Sequence, residues 1–170
     1  MQQFVVIASD HAGIGLKDKV VKLLGELGIQ VEDLGPASRE TVDYPDYGAL
    51  VAEAVSTGRA ERGVLVCGTG IGMTIVANKF PGVRAALCHD AEAARMGREH
   101  TDANLLVLGE RVLPEARLAE IVRTWLETPF AGGRHAGRLD KVRAIEKKTM
   151  RSPRHHKVPK ARAKGQELKE

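Results

Sequence analysis

The sequence predicts an α/β fold: a five-stranded parallel sheet, doubly wound, with helices on both faces to make three layers, and one more helix at the C-terminal end. Three observations predict it. Five short runs are largely apolar or β-branched, helical spacing recurs between them, and glycine and polar residues gather where the runs end. Strands covered on both faces read as near-continuous apolar segments. Their alternation with helices calls for crossovers within one parallel sheet.

The elements follow in chain order. FVVIAS (4–9) is the first strand, and Ile14, Leu16, Val20, Leu23, Leu24 and Leu27 then keep helical spacing until Gly28 stops the helix. IQVEDL (29–34), GVLVC (63–67), VRAALC (83–88) and NLLVLG (104–109) are the remaining strands. Helices are expected through 46–57, 72–79, 90–98 and 114–127, the last with Pro114 suited to a first turn. A further helical pattern places Arg134 and Arg138 on one face and Leu139, Val142 and Ile145 on the packed side. The whole is Rossmann-like, and such sheets bind ligands beyond the carboxyl ends of their strands.

Composition bounds the function. The chain has 170 residues, 43% apolar and 4% aromatic, with no run long enough to span a bilayer and an N-terminus unlike a signal peptide. A cytoplasmic location is expected. Cys67 and Cys88 each close a strand, so free thiols are expected rather than a disulfide, and no Cys/His group has zinc-ligand spacing. The formal charge of +4 is unevenly spread: residues 150–170 hold seven Lys/Arg against two Glu, so residues 1–149 carry −1. We expect a single domain over 1–149 and a basic, disordered tail over 150–170. The tail reads as solvated rather than as a nucleic-acid contact, because no stacking aromatics are interleaved.

Chemistry should collect at the strand ends: Ser9-Asp10-His11, Cys67 to Gly72, Cys88-His89-Asp90, and Gly109 to Val112. The segment CGTGIG is the most informative. Its glycines can turn backbone N–H groups into one concavity beside a helix N-terminus, which suits an anion. Gly68, Gly70 and Gly72 form G-x-G-x-G, with Met73 and Ile75 where a dinucleotide fingerprint would continue, and no Gly-Lys-Ser/Thr follows as in a Walker loop. The spacing therefore argues against a nucleotide. Cys67 can be a core thiol ending a strand, or a base and nucleophile facing the loop amides. The residues alone leave both readings open. His100, before the fifth strand, reads as a loop histidine, either an ordinary surface residue or one able to move protons. Arg134 and Arg138 suit a phosphate or form an ordinary charged face.

Taken together, SDHAGIGLK, VDYPDYG, CGTGIGMTIVANKFPGVRAAL, REHTDANLLVLGERV and GGRHAGRL, in this order and at these intervals, resemble type B ribose-5-phosphate isomerase and its relatives, the galactose- and allose-6-phosphate isomerases. The resemblance covers residues 4 to about 148. It implies an aldose–ketose isomerase without metal or organic cofactor that interconverts ribose 5-phosphate and ribulose 5-phosphate. Cys67 would be the base that moves a proton between C2 and C1. Some members use a glutamate inside the loop instead, at the position of Met73 here. The loop backbone, Gly68 through Gly70, Ile71, Gly72 and Met73 with the Thr69 hydroxyl nearby, would stabilise the cis-enediolate. Asp10 and His100 would help open the sugar ring, Tyr44 would contact substrate, and His11, Arg134 and Arg138 would hold the phosphate with Arg111 reaching in. The family's site lies between subunits, so a homodimer or tetramer is implied, with the His100 and Arg111 segment supplied by the partner.

One position departs from the family pattern. Thr101 stands where asparagine is usual, and it offers one hydroxyl in place of an amide. An allose or galactose 6-phosphate is therefore the alternative substrate. A reading from another class is a non-catalytic phosphosugar- or nucleotide-binding module whose basic tail contacts nucleic acid.

Overall fold

The structure is a computed structural model, and it describes residues 4–150. Five strands, β1 (Phe4–Ser9), β2 (Gln30–Asp33), β3 (Arg62–Cys67), β4 (Ala85–Leu87) and β5 (Leu105–Gly109), form one sheet in the order β2-β1-β3-β5-β4, every neighbouring pair parallel. The helices between and after them are α1 (Ile14–Glu26), α2 (Tyr44–Ser56), α3 (Ile71–Ala77), α4 (Ala91–Thr101), α5 (Leu118–Glu127) and α6 (Arg134–Thr149). The fold class is the one expected. Among the described residues, no helix is long and apolar enough to cross a membrane. The basic tail lies outside them beyond Met150.

Strand alternation sorts the core into two layers. Val5, Ile7, Val64, Val66, Leu106 and Leu108 face α1, α4 and α5, including the fully buried Trp125. Val6, Ala8, Leu65, Cys67, Leu105 and Val107 face α2 and α3. The centre of the sheet is thus dry on both sides, which is why its strands carry no polar alternation.

Four expectations are revised. The fourth strand is only three residues long, because the Arg84 and Ala85 N–H groups donate to the side-chain amides of Asn104 (2.8 Å) and Asn78 (3.0 Å). The region 114–127 is not one helix; Pro114 precedes a single 3-10 turn (Glu115–Arg117), and α5 begins at Leu118. Helix α4 runs past residue 98 to Thr101, where Asp102 takes a left-handed conformation (φ 46°) and its N–H donates to the Arg98 carbonyl. That carboxylate also pairs with Arg98 (2.8 Å) and Arg84 (3.0 Å), so His100 lies in a helical last turn rather than in a loop. On α6, Leu139 is buried as expected, but Val142 and Ile145 are 51% and 62% exposed. They flank a groove beside β4, the sheet's open edge, instead of packing into it.

One buried charge organises the loop before α2. Lys17, 2% exposed, donates from Nζ to both Asp33 carboxylate oxygens (2.9 and 2.7 Å) and to the Pro36 carbonyl (3.0 Å). Asp33 is partly solvated, so losing the lysine does not strand a dry charge. Lys17→Met, which keeps the apolar stem, is expected to lower stability by about 1–3 kcal/mol in urea denaturation, the scale of hydrogen bonds to charged groups.

Candidate active site

The site begins where β3 and β5 end side by side, with Cys67 in register with Gly109. The Glu110 and Arg111 N–H groups donate to the Cys67 and Gly68 carbonyls, each at 2.9 Å. Gly109 makes that approach possible, since a Cβ there would lie 2.6 Å from the Thr69 backbone. On the other side of β3, the Asp10 N–H donates to the Val66 carbonyl at 3.2 Å. Three loops are thereby fixed to one strand end.

Between them opens a cleft of about 300 Å³, lined by Asp10, His11, Ala12, Tyr44, Cys67, Gly68, Thr69, Gly72 and Arg111. Cys67 is 5% exposed, and its Sγ accepts the Gly70 N–H at 3.1 Å. Such a donor binds a thiolate more strongly than a thiol. Gly70 itself adopts a left-handed conformation (φ 82°) at the start of α3, which favours glycine there. The Thr69 hydroxyl accepts the Ile71 N–H at 3.4 Å. The Ile71 side chain is exposed, and the Tyr44 ring lies over Gly72, where a Cβ would stand 2.8 Å from it. Met73 is fully buried, its sulfur packed toward Gly48, so this residue can offer the cleft no more than its backbone.

The remaining cleft groups are held by the backbone. Asp10, 8% exposed, accepts the Ala12 N–H on Oδ1 at 2.9 Å. His11 Nδ1 faces the Val42 peptide, 3.2 Å from its N–H and 3.1 Å from its carbonyl. When Nδ1 accepts from that N–H, the ring proton sits on Nε2 and faces away from the Val42 backbone; when Nδ1 donates to the carbonyl, it carries the proton itself. The Arg111 guanidinium rests over Gly68, where a Cβ would be 3.4 Å from its central carbon.

A second group of the expected residues lies elsewhere on the chain. His100, at the end of α4, stacks on His135 of α6 with ring centroids 4.3 Å apart and planes within 6°. His135 is buried, its Nδ1 has no hydrogen-bond partner, and Arg134 Nε approaches its Nε2 at 3.5 Å. Burial first, then the charges of His100, Arg134 and Arg138, hold the His135 pKa below the usual histidine value. Arg134 and Arg138 project from the first turns of α6, which starts after Gly132 and Gly133, both at positive φ. The Thr101 hydroxyl donates to the Gly97 carbonyl (2.6 Å) and so is occupied within its own helix.

Several placements differ from the sequence reading. Arg111 was expected from a partner chain, but the β3–β5 clamp puts it in its own chain's cleft beside Cys67. His89 and Asp90 do not join the rim: β4 is the far edge of the sheet, and the Asp90 carboxylate caps α4 by accepting the Ala93 N–H at 2.7 Å. Reading the sequence missed His135, although it sits inside the quoted GGRHAGRL, because only the arginines there suggested an anion. Glu110, within the Gly109 to Val112 segment expected at the rim, turns away from the cleft, and the Val42 backbone contact to His11 has no side-chain signal at all.

Comparison with known proteins places the chain as a whole. A family model described as ribose/galactose isomerase matches residues 5–142. Ribose-5-phosphate isomerase B of Escherichia coli is 42% identical over 144 residues, 85% of this chain and 97% of that protein. A D-erythrulose-4-phosphate isomerase of Pectobacterium atrosepticum is 40% identical over 139 residues, 81% of this chain and 91% of that one. The solved structure of Clostridium thermocellum ribose-5-phosphate isomerase B superposes with a TM-score of 0.84 at 51% identity, covering 86% of this chain and 99% of that one.

The two thiols are chemically distinct. Cys88 is buried on the other face of the sheet, and burial, helped by the nearby Asp90 charge, pushes its pKa up to about 12. Cys67 opens on the cleft. Iodoacetamide at pH 8 is expected to modify one cysteine per folded chain, found by peptide mass mapping at Cys67, and Cys67→Ala is expected to take up no label until denatured.

Proposed function

The chain belongs to the ribose/galactose isomerase family, and from that premise we propose that it interconverts ribose 5-phosphate and ribulose 5-phosphate through a cis-enediolate. The observation that carries the reading is Cys67 at the mouth of a glycine loop whose Gly70 N–H is aimed at its sulfur, with cationic and carboxylate groups around it. Aldose–ketose isomerisation needs a base poised over C1 and C2, donors for the developing oxyanion, and a remote grip that fixes the pose.

Each step has a residue. Asp10 and His100 move protons between the anomeric hydroxyl and the ring oxygen to free the open-chain aldehyde. The Cys67 thiolate takes the proton from C2, leaving negative charge on the enediolate oxygens. The N–H groups of the loop from Gly68 to Met73, and the Thr69 hydroxyl, meet that charge; the first N–H groups of α3 have no intrahelical acceptor. The thiol then returns the proton at C1, while a hydroxyl proton passes from O2 to O1, and the ketose is formed. His11, Arg111, Arg134 and Arg138 hold the phosphate throughout, and Tyr44 closes one wall of the sugar site.

Within the chain, His100, Arg134 and Arg138 do not line the cleft that holds Cys67. This supports a site completed by a second copy, in which one chain brings Cys67 and Arg111 and the other brings the α4–α6 group. Two sugar readings have support of their own. The occupied Thr101 hydroxyl leaves this position without a free donor, which keeps a six-carbon sugar phosphate as the alternative, and the erythrulose-4-phosphate relative adds a shorter one.

The deciding measurement is kcat/KM for ribose 5-phosphate, allose 6-phosphate, galactose 6-phosphate and erythrulose 4-phosphate. We expect ribose 5-phosphate to lead, and a tenfold preference for another sugar overturns the assignment. Cys67→Ala is expected to lower kcat by about 10²–10⁴-fold, the range for a lost general base, while phosphate binding persists. Mixing inactive Cys67→Ala with inactive Arg134→Ala/Arg138→Ala should restore about a quarter of wild-type activity, because each hybrid dimer regains one intact site. No recovery after verified subunit exchange means that the site is not shared.

A further inference from the structure

Helix α1 starts without a cap of its own. Gly13 precedes it with no side chain to offer, and its first turn contains no acidic residue. The missing acceptor comes from the turn after β5: Glu110 Oε2 takes the Leu16 N–H at 2.8 Å. Gly15 makes room for it, since a Cβ there would lie 2.9 Å from Glu110 Oε1. The carboxylate therefore occupies the helix start and does not line the cleft.

Glu110 also stands at the junction of the clamp. Its own N–H donates to the Cys67 carbonyl, and the next residue is Arg111, whose N–H donates to the Gly68 carbonyl. The loop immediately before α1 carries Asp10 and His11. One side chain thus spans from the turn that holds Arg111 to the helix whose preceding loop holds His11. Anion binding by two such groups depends on the distance between them, and a small displacement of either weakens both contacts.

We propose that Glu110 is a positioning residue: by capping α1 from the β5 turn, it sets the Arg111 guanidinium and the His11 ring at the spacing that grips a phosphate. This rests on the reading above that those two groups meet the substrate's phosphate. It assigns Glu110 no contact with substrate and no proton transfer. The interaction it supplies is hydrogen-bond acceptance, which an amide oxygen can also provide.

The test measures inorganic phosphate affinity by calorimetry, with KM and kcat for ribose 5-phosphate, in Glu110→Ala, Glu110→Gln, Arg111→Ala and the Glu110→Ala/Arg111→Ala double variant. Glu110→Ala should weaken phosphate binding and raise KM by about tenfold while kcat stays within about threefold. Glu110→Gln should remain close to wild type. In the Arg111→Ala background, Glu110→Ala should cost less than about threefold, because the group it positions is gone. Gly15→Leu, whose larger side chain takes the space the carboxylate fills while suiting a helix, should reproduce the Glu110→Ala defect and keeps the test available if Glu110→Ala does not fold. The proposal is overturned if Glu110→Ala binds phosphate normally, if its loss is in kcat with KM unchanged, if Glu110→Gln is as impaired, or if the full defect persists without Arg111. Failure of the isomerase reading shows separately, as a wild type that binds phosphate and turns over none of the sugars.

Discussion

The site depends on the clamp between the ends of β3 and β5. Two backbone hydrogen bonds, from the N–H groups of Glu110 and Arg111 to the carbonyls of Cys67 and Gly68, and the bare α-carbon of Gly109 against Thr69, hold two loops closer than side chains would permit. Without that closeness, Arg111 could not rest over Gly68, and the loop that turns the Gly70 N–H onto the sulfur would lose its neighbour. The dry, two-layered core supplies the rigidity behind the clamp. Its central strands are fully buried, so their carboxyl ends present a fixed edge from which short loops can aim donors.

The chain keeps two groups of polar residues apart. The cleft at the sheet edge gathers the Cys67 sulfur and the N–H groups of the glycine loop. The α4–α6 junction gathers two exposed guanidinium groups around a stacked histidine pair. Burial keeps His135 from charging easily. Its neutral ring can then lie flat against His100 without adding a third cation to the arginine pair, and the stack holds the His100 ring beside the Glu99 carboxylate.

Much of this was legible in the amino-acid order. The strand sequence, the glycine loop, the helix stop at Gly28 and the arginine spacing on α6 follow from local rules, because each depends on residues within a turn or two. What was not legible depends on contacts made across the chain. Helix α4 reaches Thr101 because Asp102 caps it while pairing with Arg84, eighteen residues away. Val142 and Ile145 carry the spacing of a packed face yet lie beside an open sheet edge, and strand order is not written in helical periodicity. Arg111 was placed in a partner by resemblance, whereas the register of Cys67 with Gly109 brings it home. Glu110 lies in a strand-end segment that the sequence marks, but its contact with the Leu16 N–H, like that of the Val42 backbone with His11, is chosen by what the fold brings near.

The sorting of the two cysteines onto opposite faces of the sheet has a consequence for oxidant exposure. Cys67 belongs to the layer under α2 and α3, and Cys88 to the layer under α1 and α5. With the sheet between them, a sulfenic acid formed on Cys67 finds no second thiol in its own chain with which to condense, and the sequence holds no third. Protective disulfide formation is then left to small thiols that can enter the cleft. Where these are scarce, further oxidation to the sulfinic acid is the open route, and that step is not readily reversed. The same geometry that opens one sulfur to the cleft leaves it without an internal rescuer.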